Sequence, residues 1–194
     1  MVTISKLVIG VLALQGAFIE HQKALANCGV ESIQVRKPEQ LEEIKGLIIP
    51  GGESTTMGKL MHQFDLFEPI LNLAHKGVPI FGTCAGMIML AKDIVGSNQP
   101  RLGLMDIAVE RNAFGRQVES FEVDLNVPEL GEEPLRAIFI RAPYIKSASS
   151  NVQVMATFQD KIVLARQGKF LAAAFHPELT NDLRLHKYFL NMID

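Results

Sequence analysis

Cysteine is scarce, charge is balanced and no apolar run is long, and each shortage removes a class of protein. Two cysteines in 194 residues, Cys28 and Cys84, provide no disulfide framework. Nineteen basic residues against twenty-one acidic ones leave a net charge of −2, so no basic face for nucleic acid is implied. The longest apolar stretches, such as Leu7 to Leu14, fall far short of the roughly 20 residues that span a bilayer. That first run has one lysine close before it and no small-residue cleavage site after it. Gln15, Glu20 and His21 follow soon, and the run reads as a buried strand rather than a signal peptide. Internal repeats, low-complexity tracts and linkers rich in proline, glycine or serine are missing as well. The remaining expectation is a single domain over residues 1–194 in a reducing, cytoplasmic setting, with 48% hydrophobic residues to build its core.

The first half alternates between two periodicities. Lys6 to Leu14 is almost continuously apolar, as a strand covered on both faces must be. A helix is expected from Phe18 to Asn27, stopped by Gly29, followed by a strand over Ser32 to Arg36 and a short helix from Pro38 through Ile44. Gly46 to Pro50 is a third strand, and a helix opens near Ser54. Leu66 to Lys76 is another helix, Val78 to Gly82 a fourth strand, and an apolar helix runs from Ala85 to about Lys92. Strand and helix in alternation build a parallel sheet with helices on both faces. The second half reads as strands: Ile107 to Glu110, Val118 to Leu125, Ala137 to Arg141, Val152 to Phe158, Lys161 to Arg166 and Phe170 to Phe175. Gln159-Asp160 makes a tight hairpin between two of them. A last helix is expected from Thr180 or Asn181 to about Met192. The fold class is α/β with an antiparallel addition.

Three strand ends carry chemistry. Gly82-Thr83-Cys84-Ala85-Gly86 lies where a buried strand becomes a helix, the context of a nucleophile elbow. Such a turn leaves room only for small flanking residues and lifts the sulfur above the C-terminal edge of the sheet, where open α/β sheets bind ligands. The helix beginning at Ala85 favours thiolate, and the Ala85 N–H can meet a developing oxyanion. The competing reading is a small buried hydrophobe, the common fate of a free cysteine. His176-Pro177-Glu178 follows the apolar strand Phe170 to Phe175 and reaches the same rim. A cysteine nucleophile needs a base that returns its proton to a leaving amine, and a carboxylate that fixes the imidazole. Pro50-Gly51-Gly52-Glu53-Ser54-Thr55-Thr56 also joins a strand to a helix. Its paired glycines permit close backbone approach, and Gly52 can supply a second oxyanion N–H. A phosphate loop is the competitor there, but the lysine of the nucleotide-binding pattern is absent.

Together these segments resemble the class I, triad-type glutamine amidotransferases, and among them the family of glutaminase subunits of pyridoxal 5'-phosphate synthases. Leu14-Gln15-Gly16, Pro50 to Met57, Glu110-Arg111-Asn112 with Phe114-Gly115-Arg116-Gln117, and Ile140-Arg141-Ala142-Pro143 are the more selective runs. The resemblance implies a three-layer flavodoxin-like fold with a mostly parallel central sheet. It implies Cys84 as nucleophile, His176 as base and acid, and Glu178 as orienting carboxylate. Glutamine is implied to rest against Gly52, Glu53 and Ser54, with Arg111, Ile140 and Arg141 completing the pocket. In the family the Gln15-Gly16 segment helps complete the oxyanion hole once the partner docks. The residue types suit the substrate, because its α-carboxylate wants a cation and its α-ammonium an anion. Arg111 or Arg141 answers the first and Glu53 the second. The resemblance further implies ammonia transfer to a (β/α)8-barrel synthase subunit in a large hetero-oligomer, with no cofactor and no metal on this chain.

Other readings stay open at this point. A cysteine peptidase or deglycase also uses a cysteine elbow, a regulatory module would keep the pocket without the chemistry, and another amidotransferase subunit would share the triad. Cys28 reads as structural, and His21, His62, His75 and His186 as surface or satisfied histidines on helices, none with metal-ligand spacing.

Overall fold

A computed structural model describes residues 7–111 and 120–193. The strand β1 (Val8–Leu12) is followed by α1 (Phe18–Asn27), β2 (Glu31–Val35), a single 3₁₀ turn at Pro38–Leu41 and β3 (Gly46–Ile49). Then come α2 (Ser54–Gln63), α3 (Phe67–His75), β4 (Ile80–Thr83), α4 (Ala85–Leu90), β5 (Ala91–Ile94) and β6 (Met105–Glu110). The hairpin-rich remainder is β7 (Ser120–Leu125), β8 (Leu135–Ile140), β9 (Tyr144–Ala148), β10 (Gln153–Phe158), β11 (Lys161–Gln167), β12 (Phe170–Ala173) and the last helix α5 (Arg184–Leu190).

The main sheet has the order β2-β1-β3-β4-β12-β11-β9-β6-β5, with β10 paired to β11, while β7 and β8 form a separate antiparallel ribbon. From β2 through β12 all neighbours are parallel. The step from β12 to β11 is antiparallel, as are β11 to β9 and β9 to β6. Leaving β1 for β2 moves one way along the sheet and leaving β3 for β4 moves the other. Right-handed crossovers therefore place α1 on one face and α2 with α3 on the opposite one. The strands between them are buried on both sides: Ile9, Val11, Leu47, Ile48, Ile49, Ile80 and Phe81 have no exposed surface. That double burial is why these segments read as unbroken apolar runs.

The antiparallel turn between β10 and β11 is made by Gln159 and Asp160, both at positive φ (49° and 58°), as a type I′ connection requires. Four local expectations differ from the structure. The Pro38 helix is one 3₁₀ turn ending at Leu41, after which the Lys45 N–H bonds to the Val8 carbonyl. The apolar helix after Cys84 ends at Leu90, because Ala91 pairs with Met105 and the Leu102 N–H takes the Met89 carbonyl. Strands β5 and β9 have no counterpart in the sequence reading. The last helix starts at Arg184, where Asp182 Oδ1 accepts from the Arg184 N–H; Thr180 instead accepts from the Asp182 N–H. Lys6 and Val118, at two expected strand starts, lie outside the described residues, as do Asn112 and Phe114 to Gln117.

Candidate active site

Parallel strands β3, β4 and β12 end side by side, and the chain leaves each of them into one of the three chemical segments. Register fixes this: Ile49 pairs with Gly82, and Thr83 with Ala173. Cys84 follows Thr83 at φ 49° and ψ −104°, a left-handed conformation that a residue with a side chain adopts only under constraint. The constraint is visible on both sides. The Cys84 N–H bonds to the Ala173 carbonyl at 2.8 Å, and its carbonyl accepts from Ile88 at 3.2 Å. Glycine at 86 is a steric necessity, since a Cβ there would run into the Ile49 carbonyl. Ala85 opens the first turn of α4, where N–H groups have no acceptor within the helix.

His176 is brought in from β12 and anchored by its backbone N–H to the Ile138 carbonyl of β8 (2.8 Å). Its Nδ1 lies 2.7 Å from Glu178 Oε1, and its ring and the Cys84 side chain both stand against Gly51. Cys84, His176 and Glu178 are each 7% exposed. Burial works against the charged imidazole, yet the bonds and negative charge of Cys84 and Glu178 more than offset it and raise His176 to about 10. Burial likewise opposes the Glu178 charge, but the neighbouring His21 and His176 hold that carboxyl below its usual range.

These groups open onto a cavity of about 590 Å³. Gly52, Glu53, Ser54, Arg111, Ile140 and Arg141 all line it beside Cys84 and His176, so the structure brings the six expected pocket residues together. Glu178 stands behind His176 and Ala85 behind Cys84, away from the cavity wall. Arg141 is a second strained residue, at φ 43°, and the preceding Ile140 carbonyl lies 4.0 Å from Cys84 Sγ. Glu53, expected as the anion for an ammonium, spends its carboxylate as the cap of α2. Oε1 accepts from the Thr55 N–H (3.0 Å), and Oε2 from the Thr56 N–H (2.7 Å) and hydroxyl (2.6 Å). Burial works against that charge, but the threonine bonds outweigh it and hold Glu53 at about 2. Ser54 is therefore the first helical residue rather than the cap. The Gln15 side chain lies over Gly52, its Oε1 accepting from the Glu53 N–H at 3.1 Å.

The match to known families follows this geometry. The model of the SNO glutamine amidotransferase family covers residues 11–194. The chain belongs to the SNO glutamine amidotransferase family. Among curated relatives, this amidotransferase is 76% identical over 187 residues to the pyridoxal 5'-phosphate synthase subunit PdxT of Desulforamulus reducens, covering 96% of this chain and 100% of that one. It is 72% identical to the PdxT of Pelotomaculum thermopropionicum, with 94% and 93% covered. A solved structure described as a glutamine amidotransferase superposes with a TM-score of 0.90 at 54% identity, covering 95% of this chain and 97% of that chain. The structure of PurLQS from Thermotoga maritima shares the fold at a TM-score of 0.71 and 18% identity, with 96% of this chain and 98% of that chain covered.

Two parts of the amidotransferase site escaped the sequence reading. Gln99, 8% exposed, receives Arg111 Nη1 (2.7 Å), Thr55 Oγ1 (3.2 Å) and Ser54 Oγ (3.4 Å) on one oxygen. It stands in a polar loop between β5 and β6 that carries no motif, so nothing in the local sequence marks it. His21 and His186 are fully buried rather than at the surface, His21 beside Glu178 and the two rings hydrogen-bonded to each other, with His186 Nδ1 left without a partner among the described residues. Their signal was available: each sits on the apolar face of its helix, among Ala24 and Leu25 or Leu185 and Phe189.

Proposed function

We propose that the chain hydrolyses L-glutamine to L-glutamate and ammonia, as the glutaminase subunit of a pyridoxal 5'-phosphate synthase. The observation that carries this reading is the His176–Glu178 bond of 2.7 Å beside a strained cysteine elbow, with Cys84 and His176 facing one cavity and Glu178 behind the imidazole. The Cys84 thiolate attacks the side-chain carboxamide carbon. The oxyanion takes the N–H groups of Ala85 and Gly52. His176, charged up to about pH 10, protonates the departing nitrogen and releases ammonia, leaving a γ-glutamyl thioester. His176 then accepts a proton from water, whose oxygen attacks the thioester, and glutamate leaves as the thiolate re-forms. Glu178 holds the imidazole by Nδ1 throughout, so that Nε2 serves the reaction.

In the pocket, Arg111 or Arg141 takes the α-carboxylate, and Gly52, Ser54 and the Ile140 backbone border the rest of the substrate. The carboxylate of Glu53 remains at the cavity rim for the α-ammonium while it caps α2. The curated relatives' name supports the synthase assignment. Ammonia in water is lost to protonation and diffusion, so we assign its delivery to a (β/α)8-barrel synthase subunit in a large hetero-oligomer. One continuous apolar core supports a single glutaminase domain over 1–194. Two free cysteines support a cytoplasmic location, and no helix among the described residues is long and apolar enough to cross a membrane. The chemistry calls for no cofactor on this chain; pyridoxal phosphate is the product of the assembly.

Glutamate release from L-glutamine, measured with and without the barrel partner and with Cys84→Ala as control, tests the reading. Cysteine-dependent release is the expected result. Release that persists in Cys84→Ala, or none even with the barrel bound, overturns it.

A further inference from the structure

Behind the cavity, the polar chain does not stop at Glu178. His21, on the first turns of α1, places Nε2 3.4 Å from Glu178 Oε2 and 3.1 Å from Thr83 Oγ1. Its Nδ1 lies 3.0 Å from Nε2 of His186 on α5. Both rings are fully buried, neither lines the cavity, and each meets Phe81 edge-on with centroids 6.3 and 6.1 Å away. Cys84, His176, Glu178, His21 and His186 thus follow one another from the reacting sulfur to α5.

One order of protons along that line leaves no buried imidazole N–H without an acceptor among the described residues. Glu178 is an acceptor, so the nitrogen facing it must carry hydrogen, and His21 is the Nε2–H tautomer. Its Nδ1 is then bare and accepts from His186 Nε2–H. His186 Nδ1 is bare in turn, which fits its having no hydrogen-bond partner among the described residues. Burial pushes both imidazoles below the usual range, His186 to about 3, which favours the neutral rings of this proton order, while the Glu178 charge pulls His21 the other way. The two carboxylate oxygens are consequently unequal. Oε1 is held by His176, while Oε2 has no hydrogen-bond donor within bonding geometry among the described residues; His21 Nε2, hydrogen-bonded to Thr83 Oγ1, stands 3.4 Å from it.

Resting on the glutaminase reading above, we propose that His21 is a positioning residue for the reaction: anchored on Thr83 Oγ1, its Nε2–H stands 3.4 Å from the second oxygen of Glu178 and attracts it, so that the first stays on His176 Nδ1, and His186 sets the His21 tautomer that does so. A carboxylate held by one oxygen can swing about its last bond and carry the imidazole with it; one held by both cannot. His21 also joins the two strand ends that supply the chemistry, since Thr83 directly precedes Cys84 on β4 and Glu178 follows β12. Residue 21 lies on the helix that begins just after Gln15-Gly16, so the same contact ties the cavity's covering loop to the triad.

Three substitutions separate positioning from packing. His21→Gln keeps an N–H near the Nε2 position, His21→Asn keeps only a group near Nδ1, and His21→Leu keeps neither. For glutamate release by the full chain with its barrel partner, we expect His21→Leu and His21→Asn to lower kcat about tenfold with KM within about twofold, the weight of one close polar contact to a buried carboxylate. His21→Gln restores kcat to within about threefold of the parent. Thermal midpoints identify the folded variants, and the Gln against Asn comparison stands even if His21→Leu does not fold. Parental kcat in folded His21→Asn, or no advantage of Gln over Asn, overturns the proposal. The rate of Cys84 alkylation by iodoacetamide gives a reading that needs no glutamine turnover: the same order, parent and Gln above Asn and Leu, is expected. If the parent releases no glutamate, the function fails while alkylation still decides the role of His21; equal alkylation rates overturn that role.

Discussion

His176 Nδ1 meets Glu178 Oε1 at 2.7 Å although only Pro177 separates the two residues. A tripeptide in a strand would point its first and third side chains the same way but leave them apart. Here the chain turns after β12 into a short 3₁₀ segment, Pro177–Leu179, and the proline's fixed φ starts that turn. The carboxylate and imidazole are brought together by backbone geometry before any substrate arrives.

Removing the charge from that pair should cost rate without removing the nucleophile. Glu178→Gln is expected to lower kcat for glutamate release by up to about 10⁴-fold while leaving measurable turnover, because an amide leaves the geometry but favours the wrong tautomer. Cys84→Ala should show no turnover. Equal activities for Glu178→Gln and the parent would remove Glu178 from the mechanism.

The histidine also leaves a signature in stability. His176 rises from its usual value to about 10 in the folded chain. A raised pKa means that the folded state binds the proton more tightly, so this contribution is fully present below about pH 6.5 and is lost as pH climbs to about 10. The stability difference between the parent and His176→Gln, from denaturant titrations at pH 6 to 10.5, should therefore shrink as pH rises. A difference that is flat or grows over that range would contradict the assignment.

Gly51 lies against both reacting side chains. A Cβ there would stand 2.5 Å from His176 Cε1 and 3.3 Å from Cys84 Cβ. Gly51→Ala is expected to displace the imidazole and lower kcat on the order of 10²-fold, the cost of a misplacement of about 1 Å. An alanine variant with parental kcat would show that the ring moves aside freely.

Gln99 arranges the pocket without lining it. Its oxygen collects Arg111, Ser54 and Thr55. Gln99→Leu leaves three donors without that acceptor, and KM for glutamine should rise about tenfold with kcat less affected. Arg111→Met should raise KM by at least as much. If Gln99→Leu instead lowers kcat at constant KM, the residue serves the reacting centre rather than binding.

The cap of α2 can be checked apart from chemistry. Glu53→Ala loses three hydrogen bonds at the helix start and should cost about 1 kcal/mol in denaturant titrations. Glu53 is lowered to about 2, so its contribution is present above about pH 4.5 and is lost as pH falls toward 2. Parent and variant should converge in acid. Divergence there would mean that the carboxylate does not cap the helix.

The alternation of β1 through β4 with helices was legible in the residues alone, since strands buried on both faces must be continuously apolar and helices must repeat near 3.6. The sequence also marked the three strand ends, because a tight elbow demands Gly82 and Gly86 and a base with its carboxylate can be neighbours in the chain. It did not disclose β5 or β9. In Ala91–Ile94 the central Lys92 and Asp93 are exposed on the sheet's last strand, and in Tyr144–Ala148 only Ile145 is fully buried, so neither segment shows an alternation to read. Tertiary structure alone decided which distant side chains complete the site. Gln99 reaches Arg111 and Ser54 from a loop without a motif, and His21 and His186, 165 residues apart in sequence, share a hydrogen bond behind Glu178. Periodicity reports which face of an element is buried; it carries no information about which buried polar group will meet another, because that depends on how the elements pack.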